Sequence, residues 1–154
     1  MIKAVIFDWG RTLHDPTAGA LFPEATPVIA HVARSYRLAI VSLVTRDDYT
    51  AQVARRGDLL RDAGLATSFA AVLFAPNDKD GLYERALAEL DLRATDVALV
   101  DDRMEAGIRW GNHRGAMTIW LRRGKFAHER PTSETGLPTY TIDTLAALER
   151  LLPL

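Results

Sequence analysis

The chain has 154 residues, 48% of them apolar, a length and composition that suit one domain with a properly buried core. Its 19 Lys and Arg against 20 Asp and Glu give a formal net charge of −1, which excludes a strong electrostatic draw toward nucleic acid or an acidic membrane. The absence of cysteine excludes disulfides and thiolate metal sites.

The opening MIKAVIFDWG lacks the plan of a signal peptide, because its apolar run is short and Asp8 closes it. No stretch approaches the roughly 20 apolar residues that a membrane span needs, so a soluble cytoplasmic protein is expected. In chain order, Ala4 to Phe7 form a β-branched and aromatic run that reads as a strand buried on both faces. A Gly- and Pro-containing loop follows, to about Phe22. Pro23 sits well at a helix start, and Val28, Ile29, Val32 and Ala33 make an apolar stripe at helical spacing. Leu38 to Ser42 is a second buried strand, and Asp47 to Ala63 reads as a helix closed by Gly64. Ala71 to Phe74 predicts a third strand, and Asp80 to Leu90 a helix with Leu82, Ala86 and Leu90 on one face.

The segment from Asp96 leads into a fourth strand, VALV, that runs straight into Asp101-Asp102. Met104 to His113 is read as helical, Met117 to Leu121 as a fifth strand and Tyr140 to Ile142 as a sixth. Gly124 to Pro138 is long and polar and predicts a surface loop. A last amphipathic helix is expected from Asp143 to Leu152, capped by Asp143. Strands alternating with helices, several of them continuous apolar runs, predict a parallel sheet covered on both faces. One α/β domain over residues 1–154 is the expected organisation.

Polar residues collect at the predicted carboxyl ends of these strands: Asp8, Ser42, and Asp101 with Asp102, with Lys79 in the loop after the third strand. Ligands of open α/β sheets bind outside those ends. An Asp there can attack phosphorus or bind a hard cation. A Ser hydroxyl and a Lys can hold phosphoryl oxygens, and further carboxylates can complete a Mg²⁺ shell. Taken singly, Ser42 reads as turn chemistry and Lys79, within Asp78-Lys79-Asp80, as a solvated charge. The acidic pair is more telling, since two acids after VALV need a cation or loop amides to compensate them. His14, His31, His113 and His128 have no metal-ligand spacing, and the three Trp read as packing residues.

These residues resemble the haloacid dehalogenase (HAD) superfamily of phosphohydrolases. VIFDWGRTL at Val5 to Leu13 is similar to the family's first motif, a strand followed by Asp-x-Asp-x-Thr. LAIVS ending at Ser42 resembles the second motif, Lys79 the third, and ALVDDR at Ala98 to Arg103 the fourth. The resemblance implies a Rossmann-like three-layer sandwich with a mainly parallel sheet. It implies Asp8 as a nucleophile forming an aspartyl-phosphate, Ser42 and Lys79 as phosphoryl-holding residues, and Mg²⁺ bound by Asp8, the Gly10 carbonyl, Asp102 and Asp101. The expected substrate is a phosphorylated small molecule or protein.

Two departures from the family pattern stand out. Gly10 replaces the usual acid/base Asp, and the further acid of the fourth motif falls near Gly107, leaving Glu105 as the nearest candidate. His14 and Asp15 are the only nearby substitutes for the acid/base in the loop after Asp8. A second reading is therefore a HAD-fold binding or regulatory protein with little turnover. The spacings Leu13–Ser42 and Ser42–Lys79 leave no room for a cap domain, and an open site suits a large or exposed phosphorylated substrate. Specificity is expected in the loops Trp9–Phe22 and Gly124–Pro138.

Overall fold

A computed structural model describes residues 1–153. Six strands form one sheet in the order β5-β4-β1-β6-β7-β8, with every pairing in it parallel. They are β1 (Ala4–Phe7), β4 (Arg37–Leu43), β5 (Ala71–Ala75), β6 (Val97–Asp101), β7 (Met117–Leu121) and β8 (Tyr140–Ile142). The continuous apolar runs have the expected cause, since alternate side chains enter different cores. Val5, Phe7, Leu38, Ile40, Ala98 and Val100 pack on one face, against Val28, Ile29 and Val32 of α1 (Ala25–Val32), Leu60 of α2 (Tyr49–Asp62) and Leu148 of α5 (Leu148–Leu151). Ala4, Ile6, Ala39, Val41, Val97 and Leu99 pack on the other, against Leu82, Ala86, Leu87 and Leu90 of α3 (Lys79–Leu90) and Trp110 of α4 (Arg109–Arg114). This is the three-layer α/β sandwich that the alternating pattern predicts.

From β1 the chain builds outward through β4 to β5, then returns to the other side of β1 for β6, β7 and β8. The reversal opens a crevice above the carboxyl ends of β1 and β6, where Asp8 and Asp101 fall. Between β1 and β4 lie only α1 and a two-stranded antiparallel hairpin, β2 (His14–Asp15) and β3 (Ala20–Leu21); between β4 and Lys79 lie only α2 and β5. Neither interval holds an inserted cap. Among the described residues no helix is long and apolar enough to cross a membrane.

Four local expectations need correction. The segment up to Phe22 is not wholly loop, because it contains the β2–β3 hairpin. Lys79 is not in a loop; it is the first residue of α3, after Asp78, whose side chain accepts from the Gly81 N–H at 3.0 Å. The helix expected from Met104 begins as a π-helical turn, Met104–Ile108. There the Gly107 N–H donates to the Asp101 carboxylate at 2.9 Å, a bond that a regular helix start would not direct at the sheet. The last helix is split into a 3₁₀ turn, Leu145–Ala147, and α5. Asp143 is not its cap: Thr144 is extended, and the Asp143 carboxylate pairs with Arg122 at 3.4 Å.

Candidate active site

Asp8 leaves the end of β1 into the sheet crevice, and its side chain is almost fully buried. Lys79, delivered by the start of α3, donates to Asp8 Oδ1 at 2.8 Å and to Asp101 Oδ2 at 2.9 Å. The Thr12 hydroxyl, fully buried, donates to Asp8 Oδ2 at 3.4 Å. Asp8, Gly10, Ser42, Lys79 and Asp102 line one cavity of about 440 Å³. Of the predicted site residues, only Asp101 lies behind that wall. Ser42 is buried on the wall, with its hydroxyl donating to the Leu43 carbonyl at 3.3 Å.

One carboxylate oxygen each from Asp8, Asp101 and Asp102 fall within 4.8 Å of one another. The acidic pair divides its labour. Asp101 Oδ2 accepts from Lys79, from the Tyr83 hydroxyl at 3.1 Å and from Gly107 N–H, while Oδ1 accepts from Arg103 N–H at 3.0 Å. Burial alone would raise the Asp101 pKa, but Lys79 and these N–H donors outweigh it and hold the carboxyl below its usual value. Asp102 is the opposite case. Its Oδ2 is buried and without a partner, and burial, reinforced by the charges of Asp101 and Asp8, pushes its pKa up to about 8. Burial also raises Asp8, with Lys79 opposing. Lys79 is held well above its usual value, because the two Asp charges outweigh its own burial.

An orphaned, buried carboxylate oxygen in an all-oxygen donor set is what a hard divalent cation requires. The residues therefore fit Mg²⁺, with Asp102 carrying the unpartnered oxygen, Asp8 beside it and Asp101 anchoring Lys79. A stability prediction follows from Asp102. Its folded pKa lies above the unfolded value near 3.8, so its contribution is fully present below about pH 4 and is lost as pH rises toward 8. One proton held by the native state alone corresponds to a slope of about 1.4 kcal/mol per pH unit. With a chelator, thermal melts from pH 5 to 9 should fall progressively. Saturating Mg²⁺ should flatten the curve, and parallel curves with and without the metal would contradict the assignment.

Gly107 accounts for the missing fourth-motif acid. A Cβ built there would meet Asp101 Oδ2 at 2.4 Å and the Tyr83 hydroxyl at 2.5 Å. Tyr83 is fully buried and occupies the space that a side chain at 107 would need. Gly107→Ala should accordingly cost about 1–3 kcal/mol or more from overpacking, read as a lower thermal midpoint. Glu105 does not substitute; it is exposed and pairs with Arg103 at 3.6 Å. Nor does Asp15, whose carboxylate accepts from Thr17 N–H within the hairpin turn. His14 stacks on Trp9 at 5.6 Å in an adjoining cavity, its pKa lowered first by burial and then by Arg56.

The rim holds residues that the sequence reading missed. Arg11 has a left-handed backbone (φ 60) and its guanidinium lies 5.0 Å from the Phe126 ring, which Arg103 approaches at 3.8 Å. Arg123 ties the loop after β7 to the loop after β1, donating to the Thr12 carbonyl at 3.0 Å and lying 3.7 Å from the Phe22 ring. Arg56 of α2 projects into the same wall as Asp8. Its signal was available: Gln52, Arg56 and Leu60 share one helix face, and only Leu60 is apolar.

Residues 78–148 match the sequence family described as "HAD-hyrolase-like". The glyceraldehyde 3-phosphate phosphatase of Methanopyrus kandleri is 31% identical over 68 residues, 44% of this chain and 28% of that protein. The chain thus matches less than a third of that relative. A crystal structure of an uncharacterized protein from Listeria monocytogenes serotype 4b superposes with a TM-score of 0.77 at 18% identity, covering 98% of this chain and 97% of the other. The 2-haloacid dehalogenase of Pseudomonas syringae pv. Tomato DC3000 gives a TM-score of 0.72 at 16% identity, covering 99% and 98%. The family match spans just under half of the chain, and the solved structures, at 18% and 16% identity, share its fold.

Proposed function

We infer that the chain is a Mg²⁺-dependent phosphohydrolase that works through an aspartyl-phosphate on Asp8. The observation that carries this reading is the setting of Asp8, a buried carboxylate facing a cavity with a cation on one oxygen and a hydroxyl on the other. The phosphatase activity of the matched relative supports the same chemistry. An Asp8 oxygen attacks phosphorus and the bond from phosphorus to the leaving oxygen breaks. Water then attacks the phosphorus of the aspartyl-phosphate, releasing inorganic phosphate and restoring Asp8.

Lys79 keeps Asp8 oriented and neutralises charge developing on the phosphoryl oxygens. Ser42, on the wall of the same cavity, would donate its hydroxyl to one of them in place of the Leu43 carbonyl. Asp8, Asp102 and the Gly10 carbonyl would hold Mg²⁺, which when bound offsets the repulsion between carboxylate and phosphate. With glycine at position 10, no side chain there protonates the leaving oxygen, so aryl and acyl phosphates are the favoured substrates. The uncapped cavity lets the remainder of a small molecule or a protein extend into solvent.

A second reading, a phosphate-binding protein with little turnover, is favoured by Gly10 alone. Assays of an aryl phosphate with wild type and Asp8→Asn, with and without Mg²⁺, separate the two. The expected result is metal-dependent turnover that the substitution lowers by about 10³-fold or more. Phosphate binding without turnover in the wild type would establish the second reading.

A further inference from the structure

Beside the phosphoryl site lies a guanidinium without a counter-ion. Arg56 sits in an aromatic slot, its central carbon 5.5 Å from the Trp9 ring and 4.8 Å from the Phe74 ring. Its Nη2 donates to the Leu43 carbonyl at 3.3 Å, while Nη1 is buried with no partner. No carboxylate lies within ion-pair distance of it among the described residues, whereas neighbouring Arg55 pairs with Asp48 at 3.1 Å. Burial lowers the Arg56 pKa, and the more distant Asp8 charge only partly compensates. A half-buried cation held by aromatic faces and one carbonyl is costly to keep unpaired. Arginine on a packed slot is also a preorganised fork for a planar or tetrahedral anion.

Its location narrows what that anion is. The phosphoryl cavity adjoins a second cavity of about 400 Å³, lined by Trp9, His14, Pro16 and Gly19. Gly10, Gln52 and Arg56 belong to the walls of both. Gly10 has nothing within 4 Å of where its Cβ would stand, so no side chain crowds the shared wall at that position. A leaving group that extends from the phosphoryl cavity into the second one would pass Arg56, while Lys79 and Ser42 line the first cavity alone.

We propose that Arg56 binds a second anionic group of the substrate, so that the preferred substrates are phosphomonoesters carrying a carboxylate or another phosphate a few atoms from the scissile bond. This rests on the phosphohydrolase reading. Arg56→Met keeps an unbranched side chain against the two rings while removing the charge, and its thermal midpoint reports whether the fold is kept.

The test compares 2-phosphoglycolate (carboxylate), 1,3-propanediol bisphosphate (second phosphate) and glycerol 1-phosphate (uncharged remainder) on wild type, Arg56→Met and Arg56→Lys. The ratio of kcat/KM for the better doubly anionic substrate over glycerol 1-phosphate should fall about 10–100-fold in Arg56→Met, chiefly through KM, and recover partly in Arg56→Lys. Whichever of the first two substrates is more sensitive identifies carboxylate or phosphate as the ligand. An equal loss on all three, or no change in the ratio, overturns the proposal. Calorimetric binding of malonate to wild type and Arg56→Met decides it independently of turnover. Arg56-dependent binding supports the anion site even if no phosphoester is hydrolysed, and binding that ignores the substitution overturns it.

Discussion

Replacing Lys79 by Met should lower the thermal midpoint by roughly 6–20 °C at pH 8, because removing one partner of a buried charge cluster typically costs about 3–5 kcal/mol. The physical reason is the imbalance it leaves. Asp8, Asp101 and Asp102 are each nearly inaccessible, and among the described residues Lys79 is the only side-chain cation in direct contact with Asp8 and Asp101. Without it Asp101 keeps its backbone N–H donors and the Tyr83 hydroxyl, but the one side-chain donor left to Asp8 among the described residues is the distant Thr12 hydroxyl. The Asp8 carboxyl, already raised by burial, then rises further above its unfolded value, and Asp101 loses the cation that holds it down. Stability is accordingly retained at low pH and lost as pH climbs past the raised Asp8 value. The gap between wild type and Lys79→Met should thus be small at pH 5, large at pH 8, and partly closed by Mg²⁺. Equal gaps at both pH values would mean that Lys79 stabilises by packing rather than by charge.

Gly10→Asp should raise kcat on alkyl phosphates by about 10²–10⁴, the usual worth of a positioned general acid, while changing aryl phosphate turnover far less. The structure has room for it. A Cβ at position 10 meets nothing within 4 Å, and Gly10 is not among the residues with positive φ, so an L side chain adds no backbone strain. The new carboxylate would stand at the shared wall of both cavities. Rates on a phenyl and an ethyl phosphate, measured for both proteins, decide the matter. A gain of the same factor on both would point to better binding rather than proton donation, and no gain on the alkyl ester would remove the missing acid as the cause of any slowness.

Much of this was legible because buried parallel strands carry a strong signal. Ala4–Phe7, Leu38–Ser42 and VALV are continuous apolar runs with polar residues where they stop, and the rim at their ends was readable from that alone. The irregular parts were not legible, since each depends on a distant partner. In the π-helical turn at Met104 the Gly107 N–H reaches Asp101, and Asp143, outside the last helix, pairs with Arg122. The division of Asp101 from Asp102 was equally hidden. Adjacent identical residues differ only in what surrounds them, and Tyr83, which fills the space at Gly107, lies 18 residues before Asp101. Arg56 could have been found, as a charge on the inward stripe of an otherwise ordinary helix.

The place of β1 in the sheet has a consequence for how the site comes into being. The earliest strand in the chain is an inner one, and its neighbours are drawn from both directions of the sequence: Ala4 pairs with Arg37 on one side and with Val97 on the other. Asp8 meets Lys79 across 71 residues, and Thr12 meets Arg123 across 111. Such long loops close slowly, and parallel pairing cannot be nucleated by a local turn. Asp8 thus acquires its counter-charges late, and spends the first part of folding as an ordinary solvated carboxylate. Reactivity and assembly coincide: the charge environment that sets Asp8 apart forms only when the central crevice closes.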